Sequence, residues 1–570
     1  MKNQEVSRIF REIAKILELK GENIFRIRAY EHAAQSVDDL EEPIERAAEK
    51  GLLTEIPGIG KDLAEKIKEI IKTDKLKYLE ELKKQTPQGL VKMMEIPSLG
   101  PKTVKKLYEE LKIDTIEKLE KAAQSGKLEN LEGIKEKTEE NILRGIELVK
   151  KGSERKPINF AINVAETFIA GLKSIKEIEG IEVAGSLRRR KETVKDIDIL
   201  VTSKNPKPVM DKFVKLPSVK EVLAHGETKS SVISTENNMQ VDLRVVEQNS
   251  FGSALLYFTG SKEFNVKLRQ LAIKKGYKIN EYGVFDKKGK KLAGKTEKEM
   301  FSLLEMDYIP PELREDRGEI DAAAAGKLPE LVELKDIKGD FHIHSTYSDG
   351  IATIDEIVEK VNEFNYEYVA ICDHSQSLKV AGGLSKKEVY KKLKEIEKVS
   401  KKSKVRILMG TEVDISSSGE IDYPESILKE FDVVIAAIHT GFKQTRAQLT
   451  KRIVSACKNK YVHIVAHPTG RLWGSREPYD IDLEEIYKAA YDNQVALEIN
   501  CHPQRLDLSD INVMHAKSKG LKFSLGTDAH RLEQLQSMEF GLSVARRGWL
   551  TKEDVINSMS LGKLLKWLKK

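Results

Sequence analysis

Residues 185–202 read GSLRRRKETVKDIDILVT, and this stretch decides how the middle of the chain folds. DIDILVT, residues 196–202, has the apolar texture of a strand, and on a strand residues i and i+2 project from one face. Asp196 and Asp198 therefore stand side by side. Two adjacent carboxylates repel each other unless a cation lies between them, and divalent ions are the common solution. A third carboxylate, Asp242, sits in QVDLRV between apolar neighbours, where a lone charge is costly to bury. Three carboxylates on adjacent strands can hold two Mg²⁺ ions for in-line phosphoryl transfer. Just upstream, the Gly185-Ser186 turn and Arg189 offer N–H, hydroxyl and guanidinium donors to the terminal phosphates of a nucleotide.

Outward from this stretch the texture is α+β. Further strand-like runs are IEVAG at 181–185, SVIST at 231–235 and MQVDLRVV at 239–246, with helical stretches between them. Helices continue beyond Gly252, with a hairpin expected around Ile279 to Leu292. Pro310-Pro311, the alanines at 322–325 and many charges mark a connecting segment before about Lys338.

Toward the amino terminus the chain reads as all helix. Ile9, Ile13, Ile16 and Leu17 recur at helical spacing, as do Leu63, Ile67, Ile70 and Ile71. A weak repeat is visible in IPGIGKDLAEKI from Ile56, IPSLGPKTVKKL from Ile96 and LEGIKEKTEENI from Leu131. Each is a tight turn before a helix start, where unpaired N–H groups can face an anion. Gly58 and Gly60 in the first copy, and Gly100 in the second, let DNA phosphate approach the backbone without reading a base.

Toward the carboxyl terminus the histidines gather: nine of the 11 lie between Asp340 and His530. Short apolar strands alternate with helical stretches from Gly339 onward, the pattern of a parallel β/α barrel with its site at the strand carboxyl ends. Polar residues close these strands: His342 and His344, Asp349, His374, Glu412, His439, His467, then Asp528 with His530. Nine nitrogen and oxygen ligands are too many for one ion and suit three. Such a set favours Zn²⁺, Mn²⁺ or Fe²⁺ over Mg²⁺. Asn500, Arg505 and Arg471 are candidates to hold a scissile phosphate, and Asp373 to orient a ligand from behind. His463, His502 and His515 are expected to be structural.

Charge excludes simple electrostatic capture of DNA. Lys+Arg is 97 against 91 Asp+Glu, and the first 155 residues hold 31 of each sign, so phosphate binding must be local. Cys372, Cys457 and Cys501 are too scattered for a disulfide framework and fit a reducing cytoplasm. The start, MKNQEVSRIFREIAK, lacks an apolar signal core, and no run approaches 18 apolar residues; a soluble, cytoplasmic protein with no membrane partner is expected.

G-S-x-R-R, then D-x-D, then a later strand aspartate, resembles the nucleotidyltransferase superfamily. LLYFTGSKEFNVKLRQLA from Leu255 and GYKINEYGVF at 276–285 are similar to the nucleotide-binding segment of family X DNA polymerases. That resemblance implies that Tyr257, Phe258 and Gly260 line the sugar, that Asn265 meets the incoming base and Arg269 the template strand, and that Arg244 orders the carboxylates. Gln240 and Lys195 depart from the eukaryotic relative, which has Arg and Gly there. PGIGKDLAEKI resembles the family's lyase segment, with Lys66 at the Schiff-base position. Arg26 and Tyr30 match positions that bind a 5′-phosphate. The histidine block resembles the polymerase and histidinol phosphatase (PHP) domain, in which Glu412 bridges metals that activate water toward phosphorus.

The order of the blocks, with ARRGW at 545–549, resembles the bacterial and archaeal PolX family. The implied fold is multidomain: all-α helix-hairpin-helix domains, an α+β nucleotidyltransferase palm and a distorted TIM-like PHP barrel. The expected segments are a lyase-like domain (1–84), a helical DNA-binding domain (85–156), a palm (157–250), a nucleotide-binding subdomain (251–316), a linker (317–338) and a PHP domain (339–570). The implied activity is gap-filling DNA synthesis from deoxynucleoside triphosphates with Mg²⁺, by a monomer, plus 3′→5′ exonuclease action with three Mn²⁺ or Zn²⁺ ions. Two rivals are a non-templated nucleotidyltransferase carrying a phosphomonoesterase, and a DNA-end-binding scaffold.

Overall fold

The structure is a computed structural model. It describes residues 2–38, 44–56, 58–73, 75–94, 96, 99–130, 142–143, 146 and 155–569. It forms two compact units, Met1–Glu154 and Arg155–Lys570.

The amino-terminal unit is helical among its described residues. In the Lys2–Lys20 helix, Ile9, Ile13, Ile16 and Leu17 are buried, and in Lys61–Thr73 so are Leu63, Ile67 and Ile70. The apolar side chains form two clusters, one spanning Val6 to Leu82 and the other running mainly from Leu90 to Ile146. The first turn–helix copy leads into the Lys61–Thr73 helix. In the second, Gly100 caps Pro101–Leu111, whose proline has no N–H to leave unpaired at the first helical position. Ser98, and all of the third copy except Ile142, lie outside the described residues.

The second unit opens with a five-stranded sheet. Its order is Gly180–Val183, Asp196–Thr202, Gln240–Val246, Lys229–Ser234, Val219–His225. Only the Asp196–Thr202 and Gln240–Val246 neighbours run parallel. The Ile158–Lys173 helix buries Ala161, Val164, Phe168 and Leu172 in the same core. Two details differ from the expected strands. The run at 181–185 ends at Val183, because Gly185 turns the chain into the short Gly185–Arg188 helix. The edge strand Val219–His225 was not anticipated; most of its residues are exposed, so it shows no buried alternation.

The expected hairpin is a three-stranded sheet of Lys278–Asn280, Gly283–Phe285 and Lys291–Ala293. The 317–338 segment is no free linker. Its Glu319–Ala324 helix buries Ile320 and Ala323, and Val332 is fully buried. Its apolar residues are spaced to cover one face, which the surrounding charges obscured.

Seven parallel strands follow in chain order: Gly339–Ile343, Tyr368–Ile371, Arg406–Asp414, Val433–Ala437, Ile464–Val465, Ala496–Asn500 and Phe523–Gly526. A parallel bridge from Ile343 to Ala529 brings the last strand back to the first, so the barrel is nearly closed. Almost every residue of these strands is buried, as expected for a parallel sheet covered by helices.

Candidate functional site

In the palm sheet, Asp198 and Asp242 face each other in register across the parallel pair, and Asp196 aligns with Gln240. Gly185 is held at φ 63°, and a Cβ there would lie 2.3 Å from Asp198 Oδ2. Only glycine brings the backbone this close to the carboxylates. Burial, then the charges of Asp196 and Asp242, push Asp198 up to about 7. Burial also works against charge on Asp242, but hydrogen bonds from Gln240, Lys229 and Ser231 hold it below the usual range. Gln240 Nε2 donates to Asp242 Oδ1 at 2.8 Å, and Lys229 Nζ lies 3.0 Å from Oδ2. Gln240 thus orders Asp242 by a hydrogen bond. Three carboxylates on one sheet face, with Asp198 raised by its neighbours, suit divalent cations that offset mutual repulsion.

Arg244 makes no hydrogen bond to these carboxylates. Its guanidinium covers the Phe258 ring at 4.2 Å, and Nε is buried without a partner. Tyr257 and Phe258 meet edge to face at 5.1 Å. Asn265 Nδ2 donates to the Tyr257 carbonyl, and Arg269 Nε to the Asn265 carbonyl. Arg189 donates to Glu315 at 2.9 Å and to the Thr259 carbonyl, and a Cβ on Gly260 would lie 3.2 Å from its Nη1. Ser186 lies half-buried in the turn after Gly185.

In the amino-terminal unit, Lys66 Nζ pairs with Asp62 and lies 5.6 Å from the centre of the Tyr78 ring. Arg26 donates to the Tyr78 hydroxyl at 2.9 Å, and Tyr30 stacks on the same ring at 6.3 Å. Burial pushes the Tyr30 phenol up. The structure therefore brings Lys66, Arg26 and Tyr30 together around Tyr78, which the sequence reading missed. Gly58 has φ 80°, and a Cβ there would meet His32 Nδ1 at 2.8 Å; Gly60 and Gly100 face open space.

At the carboxyl ends of the barrel strands the predicted ligands converge. Glu412 is central: His374 Nδ1 and His467 Nε2 each lie 2.9 Å from its carboxylate, His439 3.2 Å, His342 3.4 Å and His344 3.6 Å. Asp528 Oδ1 stands 3.2 Å from His344, and Asp349 stands 3.3 Å from His530 and 3.5 Å from His374. Three groups have ligand atoms within 4.8 Å of one another: His344 with Asp349, His374 and His530; His342 with His344 and Asp528; and His374 with Glu412 and His439.

The donor chemistry fits metal. His342 Nε2, both His344 nitrogens, His374 Nδ1, His439 Nδ1 and His467 Nδ1 are buried without hydrogen-bond partners. Burial, with His530 and His374 beside it, pushes His344 down to about 3, leaving a neutral imidazole. Burial and Arg505 push His467 down to about 4. Burial opposes charge on His374 as well, but Glu412 and Asp349 hold it up to about 10, a positive charge that a divalent ion can replace.

Two supporting residues escaped the sequence reading. Glu498, fully buried, accepts from His342 Nδ1 at 2.6 Å and from the His467 backbone at 2.7 Å. Asp414 lies 3.3 Å from His439 Nδ1. The cue that marked Asp242, a lone carboxylate in an apolar strand, also marks Glu498 in VALEIN. Asp373 grips Ser345, Ser348 and Lys392 and orients no imidazole. Arg505 Nε pairs with Asp528 at 3.1 Å while its Nη1 is buried and unpartnered, and Asn500 Nδ2 donates to Glu498 and Asp528. Arg471 is already engaged by the carbonyls of Arg505 and Leu506 and by Glu192, so it packs the loops rather than facing substrate. His463 bridges Val434 and Leu568 of the backbone, and His515 pairs with Glu484 at the surface; His502 accepts from Gln504 within the Arg505 loop.

Comparison with known proteins agrees with this division. A helix-hairpin-helix domain matches residues 1–76, and a SAM-like helix-hairpin-helix tandem matches 91–147. The DNA polymerase beta thumb matches 254–315 and the PHP domain 340–502. A DNA polymerase/3′-5′ exonuclease PolX of Bacillus subtilis is 39% identical over 573 residues, covering all of both chains. A probable phosphatase of Thermoanaerobacter is 32% identical over 40% of this chain and 94% of its own length. DNA polymerase lambda of Rattus norvegicus is 25% identical over 55% of this chain and 56% of its own. Full-length similarity to the Bacillus protein, with the aspartate sheet and histidine barrel joined in one order, means that the chain belongs to the PolX family.

Proposed function

We propose that this chain is a DNA-directed DNA polymerase that fills short gaps, joined to a metal-dependent 3′→5′ exonuclease domain that also cuts DNA at abasic sites as an AP endonuclease. The observation that carries the reading is the in-register pair Asp198 and Asp242 beside Gly185, in one compact unit with a barrel mouth where eight of the nine expected ligands fall into three metal-sized groups and His467 meets Glu412. The proposed segments are a lyase-like domain (1–84), a helical DNA-binding domain (85–156), a palm (157–250), a nucleotide-binding subdomain (251–316), a packed connector (317–338) and a PHP domain (339–570).

In the polymerase centre, Asp196, Asp198 and Asp242 hold Mg²⁺, which when bound offsets charge developing on the transferred phosphoryl group. Asp242, oriented by Gln240, accepts the proton of the primer 3′-hydroxyl. Gly185, Ser186 and Arg189 hold the triphosphate. Tyr257, Phe258 and Gly260 fit a deoxyribose, Asn265 and Arg269 meet base and template, and Arg244 steadies Phe258 behind the carboxylates.

In the barrel, the nine ligands from His342 to His530 hold three Mn²⁺ or Zn²⁺ ions, which when bound activate water toward phosphorus. Arg505 and Asn500 orient the scissile phosphate. Lys66 stands ready for a lyase step, and Gly58, Gly60, Gly100, Arg26 and Tyr30 hold DNA through phosphate. The chain acts as a monomer on gapped or primer–template DNA in cytoplasmic base-excision repair; among the described residues no helix is long and apolar enough to cross a membrane.

The phosphatase relatives favour one rival, a non-templated transferase with a phosphomonoesterase. Full-length protein is given a one-nucleotide gap with a labelled 3′ end. The proposal expects insertion of the complementary nucleotide alone, and stepwise loss of labelled nucleotides without dNTPs. Addition without a template, or release of terminal phosphate only, would favour the rival.

A further inference from the structure

The ARRGW stretch at 545–549 takes no part in the barrel's metal chemistry. It closes the Met538–Arg547 helix, and its two arginines reach out of the barrel. Arg546 Nε lies 2.8 Å from Glu312, and its Nη1 donates to the Val332 carbonyl. Arg547 is 1% exposed, so its charge needs partners. Asp510 Oδ2 accepts from Arg547 Nε at 2.9 Å and lies 2.6 Å from Nη2 as an ion pair. Its Nη1 donates to the Arg189 carbonyl at 2.7 Å and to Glu315 Oε1 at 3.0 Å.

That same Glu315 oxygen receives Arg189 Nε at 2.9 Å. One carboxylate oxygen thus links an arginine of the carboxyl-terminal barrel to the arginine that follows the Gly185–Arg188 helix of the palm. Glu315 and the Thr259 carbonyl engage Nε and Nη1 of Arg189, and neither bond uses its Nη2 donors. A guanidinium is a planar fork, so fixing two nitrogens fixes where the third points. Arg547 also donates to the Arg189 carbonyl, so it reaches that residue directly at its backbone and through Glu315 at its side chain.

We propose that Arg547, a residue of the carboxyl-terminal barrel, is a positioning residue for the polymerase reaction: through Glu315 and the Arg189 carbonyl it pre-orients the Arg189 guanidinium for the nucleotide triphosphate. This rests on the reading of Arg189 as a triphosphate ligand. Pre-orientation lowers the ordering cost of binding, so its loss appears in nucleotide affinity before it appears in chemistry.

The test is single-nucleotide gap filling by the full-length protein at varied dNTP, with Arg547→Ala, Arg547→Lys and Glu315→Gln. Both Arg547→Ala and Glu315→Gln are expected to raise the KM for dNTP about tenfold while kcat stays within about twofold. Arg547→Lys recovers part of the loss, and the double variant Arg547→Ala/Glu315→Gln adds little to either single one, as for residues acting as a unit. Removal of nucleotides from a 3′-labelled single strand stays at the wild-type rate. Glu315→Gln preserves shape and serves where Arg547→Ala does not fold. A wild-type KM in a variant that melts like the wild type overturns the proposal. So does a proportionate fall of both activities, which marks a merely structural clasp. Failure of the wild type itself to extend a primer would instead defeat the polymerase reading, and the proposal with it.

Discussion

Asp198 and Glu498 are carboxylates in apolar strands, and they have different neighbours. Asp198 has two carboxylate neighbours, so burial and their charge raise it to about 7. A raised carboxyl favours folding while protonated and opposes it once ionised. Its unfolded value is near 3.9. Stability is therefore fully present below about pH 4 and is lost as pH rises through about 7. In metal-free protein, Asp198→Asn should melt higher than the wild type at pH 8, by on the order of 1–3 kcal/mol, and the gain should shrink toward pH 4. Thermal melts at both pH values check this; a gain independent of pH would contradict it.

Glu498 has imidazole and backbone donors instead, and it turns the Nδ1 hydrogen of His342 away from the ligand cluster. Glu498→Gln should weaken divalent-ion binding roughly 10–100-fold, as loss of such supporting partners commonly does. Titration of chelated full-length protein with Mn²⁺ reads it; unchanged affinity would remove Glu498 from the site. The palm aspartates were legible because they stand two apart in one short run. Glu498 carries the cue of a lone carboxylate in an apolar strand, but its partner His342 lies 156 residues away, so its role beside the ligands was not legible.

At the scale of the element, the turn after Gly180–Val183 is the most exacting piece of the palm. Gly185→Ala places a Cβ against Asp198 Oδ2 in a left-handed backbone, costing about 1–2 kcal/mol from backbone strain alone. Displacing the carboxylate should cut DNA synthesis on the order of 100-fold, because catalysis tolerates little misplacement. Exonuclease rate, measured alongside, should hold; equal synthesis by the variant would show that the turn need not lie so close. Elements whose burial repeats with a simple period were readable: the barrel strands are short apolar runs closed by a ligand, and helix Lys61–Thr73 buries one stripe. The Val219–His225 strand was not, since a solvent-facing edge imposes no alternation. The packing of the 317–338 segment was harder to read, because its buried Ile320, Ala323 and Val332 are diluted by charge.

Across the whole molecule, two clusters of candidate metal ligands with different chemistry occupy one chain. The aspartate cluster offers oxygen ligands and the barrel mostly imidazole, so the two donor sets differ in softness. The Arg155–Lys570 unit joins them through buried ion pairs, Arg471 with Glu192 and Arg547 with Glu315. Block order was legible in the sequence, and so was the gathering of the candidate ligands at one barrel mouth. These contacts were not, because pairing between distant segments leaves no periodic trace. The most direct measurement of two separable centres assays Asp198→Ala and His344→Ala proteins, each folded, for gap filling and for 3′-end degradation on the same labelled DNA. The account predicts that Asp198→Ala abolishes synthesis and keeps degradation, while His344→Ala does the reverse; loss of both activities in either variant would contradict it.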